Sequence, residues 1–473
     1  MARLVIVSNR VGTPGGTRTA GGLVVALQDA LRDRGGVWVG WSGETVPGEP
    51  GPPKSVRRGR VTYVTLDLAR EAYEAYYAGF ANGTLWPLFH YRLGLIAFRR
   101  RDLEGYLAVN ERFARTIAEL LRPDDLVWVH DYHFLALGAA LRRLGVANRL
   151  GFFLHIPFPA PEVLRALPGH ERLLRALADY DLLGFQTGSD ARCAAEGLER
   201  LVGARPAGEG RWRLDERTVT IGAFPVGIDT EGFARLAAQS ANGPEARRLA
   251  ESLAGRALVL GVDRLDYSKG LPGRLQAVAE LLEHRPQWRR RITYLQIAPV
   301  SRGELRQYRA LRSELEALAG RTNARFADVD WTPVRWVNRN VPRAVLAGYL
   351  RLARVGFVTP LRDGMNLVAK EYVAAQDPED PGVLVLSRLA GAAEELASAV
   401  LVDPLDVEGM AEALDAALAM PLDERRARWA AAIAVLRENT AARWRTRFLE
   451  ALEATRPAAG AAAGAFTRCA AAP

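Results

Sequence analysis

Arg362, Asp363, Gly364 and Asn366 stand close together in the run VTPLRDGMNLVAKEYVAAQ (358–376), and Lys370 and Glu371 follow a turn later. Pro360 ends an apolar run at 355–358, and a helical pattern takes over after the turn. Gly364 permits close backbone approach to a ligand. The amides of 365–368 open a helix, whose end attracts an anion by about 0.3–1 kcal/mol. Asp363 would repel a phosphate but accepts hydrogen bonds from two sugar hydroxyls at once; it also reads as the helix N-cap. Glu371, about two turns along, suits the two ribose hydroxyls as a bidentate acceptor. The chemistry these types and spacings fit is the grip on a nucleotide-sugar.

Other motifs point the same way. GVDRLDYSKGL (261–271) sets Arg264 and Lys269 around a turn relaxed by Gly270, where a planar fork and a point charge hold a diphosphate. Lysine occurs only at 54, 269 and 370 in this Arg-rich chain, so two of its rare uses fall inside these motifs. VSNRVGTPGGTRTAGGL (7–23) places Arg10 at a strand end, fit for a phosphate, before glycines that include Gly21 and Gly22. It is not the GxGxxG of dinucleotide sites; a surface loop is the plainer reading. FFLHIPFP (152–159) puts His155 at another strand end, as a hydroxyl partner or a structural histidine. In VWVHDYHFL (127–135), His130, Asp131 and His133 superficially suggest a metal, but their spacing across a turn builds no tetrahedral set, and Asp131 fits a sugar hydroxyl better. DVD at 328–330 mimics a metal-binding Asp-x-Asp, and the following Trp331 and Pro333 argue against it.

The elements that must position these residues are short, continuous apolar runs alternating with helical patterns. Runs at 4–9, 37–41, 126–130, 150–155 and 182–187 form one series; those at 257–262, 292–298, 355–359 and 382–387 form another. Unbroken apolarity marks parallel strands covered on both faces. A helix is expected over 302–319. Two β–α series predict an α/β protein of two facing, Rossmann-like, doubly wound parallel-sheet domains with a cleft between them, divided as 1–235 and 236–455, and a disordered Ala/Gly-rich tail at 456–473. Every motif above follows a strand, where open α/β sheets bind ligands.

Composition bounds the rest. The 473 residues are 49% hydrophobic and 25% charged, ordinary for a globular chain and enough for two domains. A net charge of +9 suits anionic small substrates, and no block of like charges supports a nucleic-acid partner. Two cysteines, Cys193 and Cys469, far apart and outside any CxxC, imply a reducing compartment. With no apolar run long enough to span a membrane and no signal-peptide pattern, the expected setting is cytoplasmic, with no membrane partner.

Together, VSNR, AGGL, GWSGE, LWPLFHYR, VWVHDYH, FFLHIPFP, YDLLGFQT, VDRLDYSKGLPGR, QIAPVSRGE and TPLRDGMNLVAKEYVAAQ resemble the trehalose-6-phosphate synthase family (glycosyltransferase family 20), from about residue 2 to 450. The resemblance implies the GT-B fold and transfer of glucose from UDP-glucose or another NDP-glucose to glucose 6-phosphate. Configuration is retained, and neither a catalytic metal nor a cofactor is required. It implies that Arg10, Tyr77 and Arg302 hold the acceptor phosphate, that Asp131 takes its hydroxyls and that Trp86 lines its pocket. For the donor it implies Gly21 and Gly22, Arg264 and Lys269 on the diphosphate, and Val341 near the base. Gly364, Met365, Asn366, Leu367, Val368, Ala369, Lys370 and Glu371 complete that side. Asp363, His155, Arg264 and Lys269 are the implied catalytic set. A homo-oligomer, dimer or tetramer, is compatible. The alternative is a related retaining glucosyltransferase with another phosphorylated acceptor such as glycerol 3-phosphate, which the joint presence of Arg10, Tyr77, Trp86 and Arg302 disfavours.

Overall fold

The computed structural model describes residues 2–11, 27, 28, 30, 31, 34–300 and 306–455. Its first sheet has strands β1 (Leu4–Arg10), β2 (Gly36–Val46), β3 (Lys54–Arg58), β4 (Val61–Ala69), β5 (Leu126–His130), β6 (Arg149–Phe153), β7 (Leu182–Phe185), β8 (Arg205–Pro206), β9 (Arg211–Leu214) and β10 (Arg217–Ala223). Its second has β11 (Ala257–Val262), β12 (Ile292–Ile297), β13 (Val334–Val337), β14 (Val355–Val358), β15 (Val383–Ser387) and β16 (Val400–Val402). Every continuous apolar run forms its expected strand. The ones that the pattern did not reveal lie mostly toward the edges, among them β3, β8, β9, β13 and β16, where one face or one side meets solvent and apolarity is broken.

The 10-stranded order is β3-β4-β2-β1-β5-β6-β7-β10-β9-β8, and the 6-stranded order is β13-β12-β11-β14-β15-β16. The second sheet is parallel throughout, and the first departs from parallel only where β3, β9 and β8 pair at its margins. Leu4, Val5, Ile6 and Val7 are wholly buried, as a central strand under helices on both faces must be. Among the parallel strands of each sheet the order reverses at one place, between β1 and β5 and between β11 and β14. A crevice opens at such a reversal because the flanking connections leave in opposite directions. Arg10, Asp131, Arg264 and Asp363 all lie at or just beyond these strand ends.

The chain crosses between lobes twice. Phe224 and Val226 pack with the first sheet, while Ile228 and Phe233 join the second core. Near 440 it returns: helix Ala441–Glu453 buries Trp444, Phe448, Leu449 and Leu452 against the first sheet, Phe448 stacking on Trp128 at 4.8 Å. Residues 441–453 therefore pack with the lobe expected to end at 235, because an amphipathic helix settles where its apolar face is covered, whatever its place in sequence. The crossings lie side by side. Ala441 donates its N–H to the Ile228 carbonyl at 3.2 Å, and a Cβ on Gly227 would come within 1.8 Å of the Asn439 carbonyl oxygen. The helix expected over 302–319 is described as Arg306–Phe326. No helix among the described residues is long and apolar enough to cross a membrane.

Candidate active site in the cleft between the sheets

The loop after β11 is fixed from beneath by Arg274, to which residue type and spacing alone assign no role. Arg274, wholly buried in helix Leu271–His284, donates to Asp263 Oδ2 (2.9 Å), Gln296 Oε1 (3.1 Å), Thr359 Oγ1 (3.1 Å) and the Lys269 carbonyl (3.2 Å). One guanidinium thus ties β11, β12 and β14 at their carboxyl ends. Gly270, at φ +66°, sits where a Cβ would lie 2.3 Å from the Thr359 carbonyl oxygen, so the turn needs glycine twice over. The Lys269 ammonium, so placed, pairs with Asp363 Oδ2, which also accepts from Asn366 Nδ2 at 3.0 Å. Burial pushes the Asp363 carboxyl up, and the Lys269 charge and hydrogen bond more than reverse it, leaving its pKa below the usual value. Asp363 is an anion with hydrogen bonds to spare.

Asp363 does not cap the next helix. Asn366 does, at φ +81°, with its side-chain oxygen accepting from Ala369 N at 3.1 Å. Asparagine tolerates this left-handed backbone, and the helix begins three residues later than a cap at Asp363 would require. That releases the Asp363 carboxylate to meet Lys269. Gly364 lies against the other lobe: a Cβ there would be 2.2 Å from the His155 carbonyl oxygen. The glycine is what lets this turn close on the first sheet.

Across the cleft, Arg10 lays its guanidinium 4.3 Å from the Trp41 ring centroid. Tyr77 packs 5.7 Å from Trp41 and stacks on His133 at 5.8 Å. Tyr77 belongs to a π-helical stretch, Glu74–Leu85, whose wide turns are a recurring feature of functional sites, and Trp86 follows directly. Trp86 donates to Asp266 Oδ1 at 3.3 Å, and Arg264 lies 5.6 Å over its ring, so the two lobes share this wall. Asp131 has φ +78°, an uncommon conformation for a residue with a Cβ, held by its N–H to the Phe153 carbonyl (2.8 Å) and by its Oδ1 accepting from His155 N (3.3 Å). The His155 ring is pulled down to a pKa of about 3 by burial and stays neutral. Fixed cations, two carboxylates and a neutral imidazole thus converge where both sheets reverse. Such a set orients polyhydroxyl and anionic ligands.

Comparison with known proteins now decides the family, because the model of glycosyltransferase family 20 matches residues 14–454. The chain belongs to glycosyltransferase family 20. The trehalose-6-phosphate synthase of Sinorhizobium fredii is 49% identical over 459 residues, covering 96% of this chain and 99% of that protein. Among solved structures, an alpha,alpha-trehalose-phosphate synthase (UDP-forming) of Burkholderia vietnamiensis is 50% identical at TM-score 0.94, covering 96% and 97% of the two chains. One from Burkholderia xenovorans, in complex with glucose-6-phosphate, is 48% identical at TM-score 0.92, covering 96% and 100%. The E. coli protein bound with UDP-2-fluoro glucose is 44% identical at TM-score 0.92, covering 97% and 100%. The two-lobed α/β architecture is GT-B.

Several family 20 expectations sit differently in the fold. Lys370 belongs to the expected donor set, but its side chain is wholly buried. Its ammonium donates to the Val226 carbonyl at 2.8 Å and pairs with Glu395, which also accepts from Asn439 Nδ2 at 2.8 Å. Val226 and Asn439 belong to the two crossings, so this lysine braces the junction. The Ala369 N–H is consumed by the Asn366 cap, which leaves Leu367 and Val368 at the helix opening. Glu371 is half-buried, its side chain has no hydrogen bond among the described residues, and burial raises its pKa to about 7. Val341 packs beside the second core ahead of helix Arg343–Leu352. Asp328 and Asp330 spend their charge on Arg290, at 2.5 and 2.8 Å, ahead of the amino-terminal ends of β13 and β12, not at the carboxyl ends that form the cleft. Among the described residues no cluster of three or more His, Cys, Asp or Glu is arranged to hold a metal. Gly21, Gly22, Arg302 and the tail lie outside the described residues. Trp41, Asp266 and Arg274 went unassigned in the sequence. Their signal was a charged or aromatic residue just beyond or beneath a strand end, inside motifs already conspicuous.

Proposed function

We propose that this family 20 chain transfers glucose from UDP-glucose to glucose 6-phosphate, giving α,α-trehalose 6-phosphate and UDP with retention at the donor carbon. The observation that carries the reading is the pair of reversal points facing one cleft, with Arg10, Tyr77, Trp86 and Asp131 on one wall and Arg264, Lys269, Asp363 and the Leu367–Ala375 helix opening on the other. The relatives whose structures hold glucose-6-phosphate and UDP-2-fluoro glucose support this choice of acceptor and donor.

In this reading Arg264 and Lys269 hold the diphosphate, the helix opening takes further phosphate oxygens and Glu371 takes the ribose hydroxyls. Asp363 and His155 hold the transferred glucose, Gly21 and Gly22 cover the donor, and Arg302 joins Arg10 and Tyr77 on the acceptor phosphate. Substitution occurs on one face: the departing diphosphate oxygen accepts the proton of the attacking hydroxyl as the C–O bond to the acceptor forms. Fixed cations neutralise the leaving charge without a metal, and holding both substrates in line supplies much of the rate. Lobe closure excludes water that would hydrolyse the donor.

The test is incubation with UDP-, GDP- or ADP-glucose and glucose 6-phosphate, with and without EDTA, following nucleotide release and product by NMR. An α,α-linked disaccharide phosphate, formed equally with EDTA, is expected. A β linkage at the donor carbon, loss of turnover with chelator, or preference for glycerol 3-phosphate as acceptor would each overturn a stated part.

A further inference from the structure

The fold engages both nitrogens of the His155 ring. Nδ1 lies 3.4 Å from the amide nitrogen of Gln186, and Nε2 lies 3.1 Å from Nδ1 of His130. Gln186 is buried just after β7, and its amide has a fixed sense because Oε1 accepts from the Val226 N–H at 3.0 Å. The group facing His155 is therefore the NH2, which can only donate. A donor opposite Nδ1 requires a lone pair there, so the single proton of a neutral His155 resides on Nε2. That N–H donates to His130, whose Nδ1 must be bare and whose own proton sits on Nε2. This last atom is buried and has no hydrogen-bond partner among the described residues, an unfavourable arrangement that an apolar residue at 130 would avoid.

We infer that Gln186 and His130 are positioning residues that hold His155 in its Nε2–H tautomer and so reserve Nδ1 as an acceptor for a hydroxyl of the transferred sugar. The inference rests on the donor role proposed for His155 above. A sugar hydroxyl replaces the long Gln186 contact by donating to Nδ1; a carboxylate, which only accepts, meets a lone pair. Burial keeps both rings uncharged, with His130 held well below its ordinary pKa by burial and by its neighbour. Among the described residues, the titratable groups around His155 are His130 and Asp131; Phe153, Trp444 and Gln186 bring no charge.

The experiment uses the full chain labelled with 15N-histidine, with long-range 1H–15N spectra recorded from roughly pH 5 to 8, the window in which an unperturbed histidine titrates. Individual His→Gln variants assign the signals. His155 and His130 are expected as neutral Nε2–H tautomers throughout; an Nδ1–H or a titrating His155 overturns the inference. Gln186→Glu faces Nδ1 with an acceptor. It should move the proton to Nδ1 or charge the ring, and give donor kcat/KM a new pH dependence. Gln186→Met removes the donor that holds the tautomer, so the free ring should populate Nδ1–H as well and donor kcat/KM should fall by up to about tenfold, without that dependence. His130→Asn, which can still accept, should keep the tautomer and the rate, whereas His130→Phe should lose both. A wild-type pH profile with Gln186→Glu counts against the inference. The spectra of the free protein decide the tautomer even if the proposed transfer is wrong or a variant fails to fold.

Discussion

Glu371 is the residue whose ionisation the cleft has altered most usefully. Folding raises its pKa from 4.5 to about 7, chiefly by burial, so the protonated form predominates below that pH. Its contribution to stability is therefore fully present below pH 4.5 and is lost as pH rises through 7. Glu371→Gln, always neutral, should raise the melting temperature at pH 8, by about 1–2 kcal/mol in stability, and leave it unchanged at pH 4. Ribose hydroxyls donating to the carboxylate would draw the pKa back down. Donor binding near pH 6.5 should then release a proton, seen as a calorimetric enthalpy that varies with the buffer's ionisation heat and is buffer-independent in Glu371→Gln. Buffer independence in the wild type would remove Glu371 from the ribose site. Arg274 shows the opposite logic: every nitrogen of its buried guanidinium has a hydrogen-bond partner. Arg274→Met should cost about 3–5 kcal/mol, because Asp263 is left buried and unpaired.

At the scale of the element, helix Leu367–Ala375 does two jobs at opposite faces. Its first amides look toward the cleft, and one turn in, Lys370 reaches back to the crossings at Val226 and, through Glu395, to Asn439. Its start is set by Asn366. Asn366→Ala should cost about 1 kcal/mol through the lost cap and the strained φ, and should raise the donor KM more than the acceptor KM. Asn366→Gly, which suits the positive φ, should recover most of the stability but not the donor affinity, since the amide that steadies Asp363 is gone. Equal recovery of both would reduce Asn366 to a cap. Thermal unfolding and separate donor and acceptor titrations make the measurement.

For the whole molecule, the decisive feature is that the lobes are joined by two adjacent strands of chain and meet through glycines. Gly364→Ala would drive a methyl into the His155 carbonyl, so the lobes could not close fully. The protein should fold, yet kcat should fall by about 100-fold, the effect of an ångström's misalignment, while each substrate still binds its own lobe. Undiminished turnover would mean that this seam opens during catalysis. The returning helix gives a second test. Trp444→Ala should destabilise by about 3–5 kcal/mol, and hydrogen exchange should locate the loss in β5, β6 and β7, not in β11–β16.

Much of this was legible in the chain itself. Central parallel strands are apolar on both faces, so each wrote an unbroken run, and ligand-binding motifs in such sheets must follow strand ends, so they could be found beside those runs. What residue spacing could not determine was pairing across sequence. Asp363 reads as a cap until the fold brings Lys269, 94 residues away, against it. Lys370 reads as a cleft cation until Glu395 and Val226 claim its charge in the interior. Helix 441–453 reads as part of the second lobe until its aromatic face finds Trp128. Local sequence sets which conformations a segment prefers. The destination of a buried charge or an apolar face is set by whichever distant partner can satisfy it, and only the folded chain supplies that partner.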